Sequence, residues 1–118
     1  MHFELFKSII DKYPLNLLYD SHAAKEYQYI NPDVCRFLIV KFSIIPNYIE
    51  VPYGFSYSKK EKLIVPTDKN HKLAYSYLSY KHISFPSEKE VHTELSRIIK
   101  NIKQVQYNLK LERIKKDF

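Results

Sequence analysis

With 118 residues, 45% of them apolar, eleven tyrosines and seven phenylalanines, the chain is long enough to build one domain (1–118) around one core, and its composition excludes a disordered tail. The formal charge of +6 is uneven: residues 1–56 hold five Lys and Arg against six Asp and Glu, residues 57–118 fourteen against seven. That layout turns one side of the molecule toward an anion, nucleic acid being the commonest. Sixteen of the nineteen bases are lysine, which suits diffuse phosphate contact better than bidentate base reading, although an A/T-rich coding sequence produces the same bias.

A single glycine disfavours Gly-rich phosphate loops and Asn-Gly hairpins. The lone Cys35 excludes an internal disulfide and a Cys-pair zinc site, so a reducing, cytoplasmic setting is expected. The longest apolar run, FLIV at 37–40, is far too short to cross a bilayer, and no membrane association is expected. MHFELFKSII carries an acid and no cleavable apolar core, so no signal peptide is expected.

Along the chain, Phe3, Phe6, Ile10 and Tyr13 share one helical face, and Pro14 stops that helix. A short strand is expected at 16–19, a helical turn at 21–27, and a turn at Asn31, Pro32 and Asp33. The run VCRFLIVKFSII at 34–45 reads as a central strand buried on both faces in its middle. NYIEV, FSYS and KLIV follow as short strands between proline and lysine turns. LAYSYLSYKHISF, at 73–85, suits a pleated surface better than a helix, with Tyr75, Tyr77, Ile83 and Phe85 packing under the last helix and Tyr80 and His82 left to face a partner.

The last element is the clearest. Ser87 and Glu90 fit a capping box, and Val91, Leu95, Ile98, Ile102, Val105 and Leu109 form an apolar stripe of alternating four- and three-residue spacing. A helix over about 88–115 follows, on the order of 40 Å long. Tyr107, Leu111, Ile114 and Phe118 continue the rhythm on nearly the opposite face, as an interface with a protein partner or a second copy, or the helix bends near Asn108. The fold expected is α+β: an N-terminal helix, a curved antiparallel sheet or small half-open barrel of about five strands, and a long C-terminal helix.

Catalytic motifs are lacking: no GxSxG, HExxH or Walker loop, and no cofactor or metal is expected from five scattered histidines. Cys35 reads as an inert buried thiol. The least implausible enzyme is a metal-independent ribonuclease using His71, His82, Glu50 and Lys81, a set picked by residue type alone.

Basic residues fall in two clusters. Lys59, Lys60, Lys62, Lys69 and Lys72 occupy two turns that would make one positive rim if they lay at one end of the sheet, with Tyr57, Tyr80 and His82 as neighbouring contacts. Arg97, Lys100, Lys103, Lys110, Arg113, Lys115 and Lys116 lie on the long helix. Arg97, Lys100 and Lys103 are off the stripe and expected in solvent, and the C-terminal bases, opposite Glu88, Glu90 and Glu94, also suit the helix dipole. The function expected is a small non-enzymatic RNA-binding or regulatory protein, RNA before DNA. A protein-binding inhibitor or antidote of a mobile element, acting through the C-terminal helix, is the alternative.

Overall fold

The computed structural model describes residues 1–74 and 80–116. Along them run α1 (Phe3–Ile10), β1 (Leu15–Asp20), β2 (Ala24–Tyr29), β3 (Leu38–Ser43), β4 (Tyr48–Val51), β5 (Gly54–Ser58), β6 (Leu63–Thr67), β7 (Lys81–Ser84) and α2 (Glu88–Lys116). Five strands form an antiparallel sheet ordered β1-β2-β3-β4-β7, while β5 and β6 pair as a separate hairpin. The chain is thus α+β, with a helix before a curved, unclosed five-stranded sheet and a long helix after it.

Helix α1 exists because Phe6, Ile9 and Ile10 give it one buried face. Phe6 stacks on Phe42 of β3 at 4.4 Å between ring centroids and tilts against Tyr27 of β2 at 5.9 Å. The helix stops at Ile10, before the Tyr13 expected to complete its face. Tyr13 is held all the same, its hydroxyl lying 2.9 Å from His92 Nδ1 and 3.1 Å from Ser96 Oγ, both on α2.

The segment read as a helical turn at 21–27 contains most of β2 instead. Its Ala-Ala-Lys-Glu composition suits a helix, but Tyr27 and Tyr29 must reach the core, and strands on both sides supply backbone partners. Pairing and burial override local propensity there. β3 is central as expected, with Ile39, Val40 and Phe42 fully buried.

Cross-strand register separates the two sheet faces. Phe42, Ile49 and Ile83 lie side by side on β3, β4 and β7 beneath the helices, whereas Lys41, Glu50 and His82 line up on the opposite face. On α2 the capping box forms: Glu90 N–H donates to Ser87 Oγ and Ser87 N–H to Glu90 Oε1, both at 3.1 Å. Val91, Leu95, Ile98 and Ile102 of the stripe are fully buried, while Val105 and Leu109 are half-buried. The helix runs unbroken through Asn108 to Lys116 and does not stop there. Among the described residues no helix is long and apolar enough to cross a membrane.

Candidate nucleic-acid interface

The hairpin β5–β6 is fastened to α2 by three devices. Gly54, the single glycine of the chain, stands where a Cβ would lie 3.1 Å from both Asn101 Oδ1 and Thr67 Oγ1, so a side chain there would crowd the approach of helix to strand. Beside it, the Phe55 N–H donates to Asn101 Oδ1 at 2.6 Å. The third device is an ion cluster around the buried Glu94. Its carboxylate accepts from Lys81 Nζ at 2.6 Å and from Arg97 Nη2 and Nε at 2.6 and 3.0 Å.

Arg97 reaches on to the Pro52 carbonyl at 2.9 Å and to the Tyr53 carbonyl, closing the corner between β4 and β5. Burial pushes the Glu94 carboxyl up, but hydrogen bonds and charge from Lys81 and Arg97 outweigh it and hold the group below its ordinary range. Arg97 is therefore not the solvated base its position off the apolar stripe suggested. A guanidinium has donors enough to hold a carboxylate and two carbonyls together, and these three acceptors draw it down.

So fastened, the hairpin sets its outer turn beside the last turns of α2. The turn at 59–62 is closed by the Ser58–Leu63 pair, with Lys62 N–H donating to Ser58 O at 2.7 Å and Glu61 N–H to Ser58 Oγ at 3.2 Å. Lys62 has φ of 57°, a left-handed conformation that favours glycine or asparagine. Between turn and helix lies an open groove of about 580 Å³ lined by Tyr57, Lys59, Lys62, Glu112, Lys115 and Lys116.

Two smaller clefts adjoin it. One, of about 270 Å³, is lined by the apolar Val34, Leu63, Ile64 and Leu109, by Lys62, Lys110 and Arg113, and by Asp33 and Gln106. The other, of about 220 Å³, lies among Ser56, Lys59, Val105 and Asn108. Tyr57 lines all three. Ion pairs among the described residues involve Lys25, Lys81, His82 and Arg97, so Lys59, Lys62, Lys110, Arg113, Lys115 and Lys116 carry charge that no acid within 4 Å neutralises. Two clusters that are separate in sequence become one positive site.

The other candidates lie elsewhere. Lys60 is exposed on the same turn, outside the groove. Lys69 and Lys72 occupy the turn after β6, at the opposite end of that five-residue strand, so the two lysine turns form no common rim. Their turn is organised around an acid, Asp68, which accepts from the Asn70 and Lys72 N–H groups at 2.8 and 3.1 Å. Tyr80 is buried and donates to the Leu38 carbonyl at 2.6 Å, and so is not left to face a partner. Phe85 is the reverse case: expected under α2, it has φ of 47° and is 78% exposed. Tyr75 and Tyr77 lie outside the described residues.

His82 does face solvent, on the sheet side away from the helices, with its ring 4.4 Å from that of Tyr48 and 3.8 Å from Glu50. The four residues of the ribonuclease reading are not brought together. Lys81 turns to the helix-covered face and pairs with Glu94, and His71 stands in the turn after β6. Cys35 is buried, and that burial, only partly offset by a backbone hydrogen bond at Phe37, pushes its thiol up to about 11. Among the described residues no three His, Cys, Asp or Glu side chains gather as a metal site would need. Of the interface stripe, Tyr107 and Ile114 are exposed and Leu111 half-buried, while Phe118 lies outside the described residues.

Compared with protein-family models, curated proteins and solved structures, the chain matches none of them.

Proposed function

We propose that this is a small non-enzymatic nucleic-acid-binding protein, acting on RNA before DNA, whose binding surface is the groove between the 59–62 turn and the last turns of α2. The observation that carries the reading is the convergence of six unpaired cations on Tyr57 from two elements far apart in sequence. Helix-dipole complement accounts for bases at the end of α2, but not for lysines on a hairpin turn set against it. Phosphates supply the matching charge, and an aromatic among cations is a common single-strand platform. RNA is placed first because its unpaired loops and ends are the usual targets of such surfaces.

Charge reversal maps the surface. In anisotropy titrations of a labelled RNA at low salt, Lys59→Glu with Lys62→Glu, and separately Lys115→Glu with Lys116→Glu, should each weaken binding about tenfold or more, a loss of roughly 1.4 kcal/mol. Lys69→Glu with Lys72→Glu should leave it close to wild type. Equal losses in all three pairs would mean that net charge, not the groove, governs binding.

A second reading rests on Tyr107 and Ile114, which are 57% and 53% exposed on the far side of the same helix end. That stripe suits a protein partner or a second copy of the chain. Sedimentation of the wild type against Tyr107→Ser with Ile114→Ser tests self-association, which the substitutions should abolish.

A further inference from the structure

Resting on that reading, we infer that the cleft beside Tyr57 takes an unstacked base of a single strand, with the flanking phosphates held by the lysines of the adjoining groove, and that the site does not accommodate a stacked duplex. The cleft beside Tyr57 offers apolar side chains, Val34, Leu63, Ile64 and Leu109, alongside Asp33, Gln106 and the cations. A phosphate gains nothing from such side chains, whereas the face of a base does. A duplex turns its phosphates outward and keeps its base faces stacked, so it would meet the lysines and leave the apolar side chains unused.

The two smaller clefts that Tyr57 lines measure about 270 and 220 Å³. That is below the roughly 300–1,000 Å³ of pockets for larger ligands, and of the scale of one base. Tyr57 is placed in advance: its backbone pairs with Ile64 across the hairpin, its ring is half-buried, and its hydroxyl has no hydrogen-bond partner among the described residues. An aromatic already held in position loses little freedom when a base stacks on it. The cations then stand where the backbone must pass, Lys59 and Lys62 on the hairpin side, Lys110, Arg113, Lys115 and Lys116 on the helix side.

The test compares three labelled probes at one low salt concentration: a mixed-sequence single-stranded RNA, the same RNA annealed to its complement, and an abasic strand of equal length. The single strand should bind about tenfold or more tighter than either of the others, since the abasic strand offers the phosphates without the bases. Tyr57→Ala should weaken the single strand by roughly 5- to 150-fold, the span of one stacked base, and leave the abasic strand unchanged. Tyr57→Phe should keep the wild-type affinity. If the duplex or the abasic strand binds as tightly as the single strand, the base-stacking inference is overturned while the nucleic-acid reading stands. If none of the three probes binds, both are overturned.

Discussion

Replacing Lys62 by glycine should make the protein more stable and a poorer binder. Lys62 ends the 59–62 turn with φ of 57°. An L-residue with a Cβ is held there against a penalty of about 1–2 kcal/mol, which glycine escapes. Glycine in turn loosens the unfolded chain and gives back about 0.4–1 kcal/mol. From the mid-values of those ranges the net gain is about 0.8 kcal/mol, and with a urea slope of roughly 1–3 kcal/mol per molar the denaturation midpoint should rise by a few tenths of a molar.

The same substitution removes one of the cations lining the groove, so the logarithmic salt dependence of single-strand binding should fall by about 0.7. Lys62→Asn, which tolerates the left-handed conformation but lacks the charge, should reproduce the binding loss. Urea unfolding followed by circular dichroism, with anisotropy titrations beside it, reads both quantities. A lowered midpoint would refute the strain argument, and an unchanged salt slope would remove Lys62 from the binding surface.

Glu94→Gln should destabilise the fold by about 2 kcal/mol at neutral pH, because it leaves two cations facing a neutral group, though both keep some access to water. Glu94 has its folded-state pKa below the unfolded value of about 4.3, so its contribution is present above that pH and lost as pH falls through the folded value. The gap between wild type and variant, measured by urea unfolding, should accordingly close in acid below about pH 4. Gly54→Val should cost about 1–3 kcal/mol by forcing a side chain against Asn101 and Thr67, and should weaken RNA binding because the groove loses its fixed wall. Calorimetry and anisotropy on one preparation check the pair, and unchanged stability would mean that the close approach at Gly54 is not needed.

Much of the architecture was legible because it rests on periodicity. Val91, Leu95, Ile98 and Ile102 repeat at helical spacing and are fully buried, and Ser87 with Glu90 marked the start of α2 to the residue. The central strand stood out by its branched and aromatic run. β2 was hidden because Ala23, Ala24, Lys25 and Glu26 suit a helix locally, and only the ladder with β1 and β3 decides otherwise. Phe85 broke the strand alternation by entering a left-handed conformation, which no residue type around it announced.

The site was legible only in its parts. Lys59, Lys62 and Tyr57 were visible as candidates, and the bases ending α2 were visible as a cluster. Their meeting depends on the approach of Gly54 to Asn101 and on Arg97, held by Glu94, reaching Pro52, contacts over some forty-five residues of sequence that leave no local pattern. The separation of Lys69 and Lys72 from the other lysines, by contrast, follows from topology alone, since turns before and after one strand stand at its opposite ends.

The most direct measurement is the affinity of the wild-type protein for a labelled single-stranded RNA across a salt series from low to about physiological ionic strength. With about five phosphates contacted by the groove, log K should fall against log salt with a slope of about −3.5, a loss of about 100-fold for a fourfold rise in salt. A flat dependence, or no binding at the lowest salt, would contradict the account.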